Sequence, residues 1–394
     1  MTTILVSLLI ALALPVSLAC AYLFAATILS RAVPAPAGSA RRLRFDVVVP
    51  AHNEASSIAR TVSSLLRLDW PREQFRVLVV AHNCSDDTAG VAHTAGADVL
   101  ERNDPSEGGK GYALDFAFSV SASQGWADAV AVVDADSQAS ANLLESMAAR
   151  LENGADAVQV HYGSLNPNAT WRTRLMTIAM ASFHGVRSRA RERLALSCGI
   201  RGNGWCVTHR ILTRVPYRAY SLAEDVEYGL RLGLAGCRVH YAEESHVNGE
   251  MASSARLARS QRQRWEIGRL RLIRTLAIPL LRSALRSRRP LCLDLALDLL
   301  VPPLSYVVLG VAALSIASGL ACRSYPSLSG WLWFCLADWL ALLLYVFRGW
   351  WLSGTGLGGA LALVHAPVFL IWKVLVMSTG HRTKDWVRTG RESS

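Results

Sequence analysis

Residues 4 to 29 read ILVSLLIALALPVSLACAYLFAATIL, twenty-six positions without a charge. A helix needs about 20 apolar residues to cross the hydrocarbon core of a bilayer, and this run exceeds that length. It also outruns the roughly 7 to 15 residues of a signal-peptide core and has no basic leader, so it reads as an uncleaved anchor over 1–31. Three more apolar stretches lie near 293–321, 329–352 and 356–378, which accounts for a hydrophobic content of 52%. Trp331, Trp333, Trp339, Trp350, Trp351 and Trp372 punctuate them as interfacial indoles do. Any fold must therefore place the intervening residues, enough for one sizeable core, against a membrane.

Arg31, Arg41, Arg42 and Arg44 follow the first run, and the positive-inside rule predicts a cytoplasmic domain after it, in the manner of a bacterial inner-membrane protein. Three full spans within the C-terminal membrane region 291–380 would place the basic tail, 381–394, on the opposite side; two or four would keep it with the domain. Asp294, Asp298 and Pro302-Pro303 interrupt one stretch, and Pro367 and Lys373 another. One of the two is expected to be interfacial or re-entrant.

The net charge of +11 is concentrated: residues 255 to 289 hold eleven Arg and one Glu. A nucleic-acid surface would be basic in this way. The apolar interleaving of LRLIRTLAIPLLRSALRS beside a membrane stretch instead predicts amphipathic helices over 255–290 lying on an anionic leaflet, with no nucleic-acid partner. The eight Cys form no CxxC pair, which suits a reduced compartment without disulfides or structural zinc.

From residue 45, Val-rich runs alternate with helical periodicity: FDVVVPA, RVLVVA, DVLER and AVAVVDA, with helices expected over 54–68, 86–96 and 110–124. Such continuous apolar strands belong to a sheet covered on both faces. An α/β domain over 44–254 follows, completed by a strand at AVQVHYGSL, an Arg-rich helix over 170–195, a glycine-punctuated loop at RGNGWCVT, a helix opening at AEDVEYG and a strand at CRVHYAE. Ligands of open α/β sheets gather beyond the carboxyl ends of the strands, here PAHNE, AHNCSDD and DADSQ. Asp134 and Asp136, with Gln138 two residues on, set oxygen ligands on one side of a loop, as a divalent cation carrying phosphates requires.

PAHNE (50–54), DAD (134–136), AED (223–225) and QRQRW (261–265), in this order and followed by apolar spans, resemble the membrane-bound family 2 glycosyltransferases, among them cellulose, hyaluronan and poly-N-acetylglucosamine synthases and smaller lipid-linked sugar transferases. The resemblance implies a GT-A fold, a Rossmann-like mixed sheet with flanking helices. It also implies a nucleotide-sugar donor such as a UDP-sugar, Mg²⁺ or Mn²⁺, and inversion at the anomeric carbon. Asp134, Asp136 and Gln138 then become metal ligands, with Asp134 also facing the donor. Asp225 becomes the base that deprotonates the acceptor hydroxyl, with Glu224 beside it in a catalytic or helix-capping role. Gln261 and Arg264 would meet the diphosphate and Trp265 the acceptor. Pro50, Asn53, Glu54, Lys110 and Asn203 are expected on the donor. The second strand ends in His82 where the family has an Asp for the donor base, so His82 itself, Asp86 or Asp87 must serve.

A nucleotidyltransferase would need a Gly-rich, Lys-bearing loop after the first strand, which PAHNEASS does not supply. A catalytically silent scaffold is disfavoured by the intact acids and Arg264. The acceptor, a lipid or a glycan, and the choice between a single transfer and processive synthesis stay open.

Overall fold

Val crowds the strands in the first half of the domain because they are covered on both faces, and the computed structural model shows how. It describes residues 2–251 and 255–371, with side chains in the long helix after 255 described from Gln263 onward. Eight strands, β1 (Phe45–Ala51), β2 (Phe75–His82), β3 (Asp98–Arg102), β4 (Ala129–Val132), β5 (Ser137–Ala139), β6 (Ala157–Ser164), β7 (Trp205–Thr208) and β8 (Val239–Gly249), form one sheet in the order β3-β2-β1-β4-β7-β6-β8-β5. The β3-β2-β1-β4 half is parallel, β7 runs antiparallel to β4 and β6, and β5 antiparallel to β8. The sheet is thus mixed, with its strand order reversing at β1 and β4, where a ligand crevice is expected. Apolar clusters pack both faces, one around Val47, Val79 and Leu144, the other around Val48, Leu114 and Trp205.

The domain helices are α2 (Ile58–Leu66), α3 (Thr88–Thr94), α4 (Lys110–Gln124), α5 (Leu143–Glu152), α6 (Trp171–Met180), α7 (Arg187–Arg193), α8 (His209–Arg214) and α9 (Glu224–Leu234). α4 has the predicted bounds because glycines close both ends: Gly109 at φ 132° and Gly125, left-handed at φ 60°. The Arg-rich helix forms as expected, but a π-helical segment, Ala181–Val186, joins α6 to α7. Two short strands are absent from the sequence reading. RGNGWCVT is a loop only to Gly204, since Trp205–Thr208 pairs with β4 as β7, and the chain after DAD returns at once as β5. Neither four-residue nor three-residue strand carries enough pattern to announce itself.

Around the domain lie α1 (Thr2–Leu29), α10 (Ala255–Ser287), α11 (Pro290–Leu300), α12 (Leu304–Ser324), α13 (Gly330–Ser353) and α14 (Gly356–Ala362). Among the described residues three helical segments are long and apolar enough to cross a membrane: 3–29, 304–324 and 326–353. The stretch read as one apolar segment over 293–321 is two helices, broken at Pro302-Pro303, where a missing N–H and a fixed φ end α11. α11 does not join the apolar bundle; Leu295, Ala296 and Leu299 pack with Ala223 and Leu230 near and on α9 and with Leu272 on α10. The segment 356–371 is a shorter apolar helix, and the basic tail lies outside the described residues.

Candidate active site

The carboxyl ends of β1 and β4, the amino end of the antiparallel β7 and the N-termini of α4 and α9 converge on one group of charges. Lys110, the first residue of α4, sets its Nζ 2.6 Å from Asp134 Oδ1, 3.8 Å from Glu224 Oε1 and 3.4 Å from the carbonyl oxygen of Gly202. Asp134 follows β4, while Glu224 and Asp225 open α9, whose N-terminal dipole favours acids. Burial alone would lower the Lys110 ammonium, but Asp134, Glu224 and Asp225 outweigh it and hold the pKa above its ordinary value. Burial pushes Asp134 and Asp225 upward, and Glu224 rises through burial and the repulsion of Asp225 beside it.

Three glycines permit this convergence. A Cβ on Gly111 would lie 2.2 Å from the Ala219 carbonyl oxygen, so the start of α4 sits directly on the loop that leads to Glu224. On Gly229 a Cβ would come within 2.6 Å of Ile200 N; one turn earlier on the same helix face, Asp225 therefore lies beside the 200–203 loop. Gly268 of α10 would meet Ala223 Cβ at 2.9 Å. Arg264, again one turn earlier, is brought to the acids, where Glu224 and Asp134 raise its pKa against the larger lowering effect of burial. Trp265 next to it is 44% exposed, open enough to meet a ligand. The Gln261 side chain lies outside the described residues.

The metal-loop residues are braced from behind. Asn203, fully buried, accepts from the Asp134 N–H at 3.0 Å and donates to Ser137 Oγ at 2.7 Å, and that hydroxyl donates to Asp136 Oδ1 at 3.0 Å. Asn203 was expected to contact the donor; instead both ends of its amide are spent fixing the DAD loop. Gln138 was expected as a third ligand. It lies opposite Asn248 on β5, and because successive strand residues face opposite ways, Ser137 rather than Gln138 attends Asp136. Two carboxylates remain, and among the described residues no three His, Cys, Asp or Glu side chains form a cation cage. The donor set nevertheless fits a divalent ion. Asp134, Asp136, Glu224 and Asp225 gather four carboxylates around the Lys110 ammonium, and an ion on Asp134 and Asp136 would complete its shell with phosphate oxygens and water, as Mg²⁺ commonly does.

The other predicted donor residues form an adjoining wall. Asn53, at φ 57°, accepts through Oδ1 from the N–H groups of Ser85 and Asp86. The Glu54 N–H donates to Thr88 Oγ1, and the Asp86 carboxylate accepts from the N–H groups of Ala55 and Thr88. PAHNE, with Pro50 in register with Val80, is thereby tied to NCSDDT. Asp86 and Asp87 stay exposed, whereas His82 is 1% exposed and its Nε2 pairs with the Glu107 carbonyl. His82 is thus a buried support, and of the three residues considered for the base the two acids are the open ones.

Sequence reasoning missed Tyr162 and a buried ionic junction. The Tyr162 ring stands 3.3 Å from where a Cβ on Gly202 would be, and Asp225 Oδ2 stands 3.6 Å from the same point. Burial together with Asp134, Asp136 and Asp225 pushes its phenol well above the usual range. At the junction, Arg187 and Arg191 of α7 and Arg201 of the glycine loop all pair with Asp298 of α11, at 3.0, 3.0 and 3.2 Å. Arg191 also holds Asp294 at 2.9 Å. The two Asp that looked anomalous in an apolar stretch are therefore counter-ions. The surplus of Arg over 170–195 was the one signal that such partners were needed.

Residues 42–268 match the family described as Glycosyltransferase like family 2. The chain is 24% identical over 236 residues to the probable glycosyltransferase YdaM of Bacillus subtilis, covering 57% of this chain and 55% of that protein. It is 26% identical over 229 residues to a beta-monoglucosyldiacylglycerol synthase of Trichormus variabilis, covering 56% of this chain and 48% of that one. The chain spans about half the length of these two relatives. In fold it is similar to the mannosyltransferase PcManGT from Pyrobaculum calidifontis, solved with GDP-Man and Mn²⁺, with a TM-score of 0.53 at 18% identity over 88% of this chain and 99% of that one.

Proposed function

The chain belongs to the glycosyltransferase-like family 2 and is a glycosyltransferase; from that premise we propose that it transfers a sugar from a nucleotide-sugar donor to a membrane-associated lipid or glycan acceptor, with inversion and with a divalent metal. The observation that carries the reading is the meeting of Lys110, Asp134, Glu224 and Asp225 at the strand ends, with Arg264 of α10 near enough to feel the charges of Glu224 and Asp134. Asp134 and Asp136 would hold Mg²⁺ or Mn²⁺, which when bound neutralises charge on the leaving diphosphate. Lys110 and Arg264 add fixed positive charge on the same side, where it needs no rearrangement as the sugar–phosphate bond breaks. Asp225 accepts the acceptor's hydroxyl proton as its oxygen attacks C1 from the face opposite the diphosphate. The wall of Asn53, Glu54 and Asp86 would receive the nucleoside, and Trp265 would stack on the acceptor.

The GDP-Man and Mn²⁺ of the structural neighbour support this donor and metal class, and the glucosyldiacylglycerol synthase supports a lipid acceptor. The three apolar helices support a membrane protein, and the arginines after α1 support a cytoplasmic domain. Among the described residues two candidate spans follow the domain, few for a polymer channel, which favours a single transfer over processive synthesis.

The test is a screen of UDP- and GDP-sugars with the full chain in lipid nanodiscs, with product identified by mass. Turnover should require Mg²⁺ or Mn²⁺ and vanish in Asp136→Asn, whose amide lacks the charge that holds the ion. Full turnover in excess EDTA would overturn the metal assignment.

A further inference from the structure

A cavity of about 130 Å³ lies behind the catalytic group, between β6, α6 with its π-helical continuation, and the end of α13. One water needs roughly 10 to 15 Å³ of such space, so a polyol rather than a lone solvent molecule fits. Tyr162 forms its inner wall, and the same ring flanks Gly202 beside Asp225. A β-bulge between Val160 and His161 aims this part of β6, as bulges beside active sites do. The outer wall is Leu352 and Ser353 at the last turn of α13, a candidate membrane span. That end lies level with the exit of α1, because Arg348 donates to the Ser30 carbonyl at 2.8 Å. A Cβ on Gly349 would fall 1.8 Å from Ser182 Oγ, so α13 is seated directly on the π-helical segment and the cavity has fixed walls.

The chemistry of the lining is specific. His161, Tyr162, Ser164, Thr177, Asn248 and Ser353 supply hydroxyl, imidazole and amide groups, Met180 and Leu352 supply apolar surface, and among the described residues no Lys, Arg, Asp or Glu takes part. Burial keeps the imidazole of His161 uncharged, its pKa lowered to about 4. A phosphate headgroup would call for charged donors; an uncharged polyol needs only those present.

We propose that this cavity is the headgroup pocket of the acceptor site, distinct from the Trp265 surface, and receives the neutral, hydroxyl-bearing headgroup of a lipid, presenting it past Tyr162 to Asp225 while the acyl chains leave along α13. The proposal rests on the transferase reading and narrows its acceptor. In the step, the headgroup oxygen bonds to the sugar C1, its proton passes to Asp225, and the diphosphate leaves with the electron pair of the broken bond.

The experiment uses the full chain in phosphatidylcholine nanodiscs, with 1,2-dioleoylglycerol or a polyprenyl phosphate as acceptor and whichever donor the screen identifies. Ala181→Leu and Ser353→Leu fill the cavity from opposite walls. Each should raise KM for dioleoylglycerol at least tenfold while the donor KM changes less than twofold. Wild-type KM for dioleoylglycerol in both variants, an equal rise in donor KM, or transfer by the parent chain to the polyprenyl phosphate alone would each overturn the proposal. A photoactivatable diacylglycerol supplies a readout independent of turnover: it should label peptides containing Thr177–Ala181 or Leu352–Ser353. Labelling there without any sugar transfer would sink the transferase reading and leave the lipid site standing, whereas transfer to dioleoylglycerol with labelling elsewhere would overturn the site alone.

Discussion

Replacing Asp298 by Ala removes the shared counter-ion of Arg187, Arg191 and Arg201, whose side chains are 5%, 3% and 3% exposed. Among the described residues the one acid left paired to the three guanidiniums would be Asp294, which reaches Arg191 alone, beside neutral acceptors such as the Tyr345 and Tyr22 hydroxyls. Removing one partner from a buried ion pair costs about 3–5 kcal/mol, because the remaining charge keeps its desolvation penalty. For a domain of this size each kcal/mol moves the melting point by about 2–4 °C, so a loss of about 6–20 °C is expected. Asp69→Ala is the control, since its ion pair with Arg41 is 66% exposed on the acid side and such pairs are worth about 1 kcal/mol or less. The assay is thermal unfolding of the full chain in one detergent, followed by tryptophan fluorescence. Burial would raise the Asp298 carboxyl, but Arg191, Arg201 and Arg187 outweigh it and hold it well below the usual range. Its contribution is therefore fully present above the unfolded-state pKa of about 4 and fades only as the pH falls from there toward the depressed folded value. The gap between parent and variant should persist from neutrality to about pH 4 and narrow only below it. An Asp298→Ala variant that melts with the Asp69→Ala control at neutral pH would refute the argument that this junction docks α11 to the domain.

Asp225→Asn should lower transfer by roughly 10²- to 10⁴-fold, the usual cost of losing a general base, with donor affinity retained in calorimetry; normal transfer with weakened donor binding would reassign the residue. Arg264→Ala should lose about 3 kcal/mol of transition-state stabilisation, more than a hundredfold in rate, even in detergent without anionic lipid. The exposed Arg271→Ala on the same helix should stay near normal there, and equal rates for the two would return α10 to a purely interfacial role. Gly229→Val should displace the 200–203 loop that lies 2.6 Å from the added Cβ position; a fully active, normally folded variant would contradict the close approach that sets Asp225 beside Gly202.

Local pattern by itself determined the apolar first helix, the Val-rich parallel strands, the α4 bounds between two glycines, and the placing of Lys110, Asp134, Asp136, Glu224 and Asp225 at or just beyond the ends of elements. These follow from periodicity, turn chemistry and motif order, which are all properties of neighbouring residues. Only the tertiary structure decided the rest. Asn203 and His82 carry polar groups that suit a ligand, yet burial spends them on the DAD loop and on the Glu107 carbonyl. Asp294 and Asp298 look like breaks in a membrane stretch until α7 and the glycine loop, about a hundred residues earlier, bring arginines to them. Tyr162 is one unmarked residue of an expected strand and acquires meaning when Gly202 folds against its ring. A charge or a polar group declares in the sequence that it needs a partner, but which partner it meets depends on contacts across the chain that no local pattern encodes.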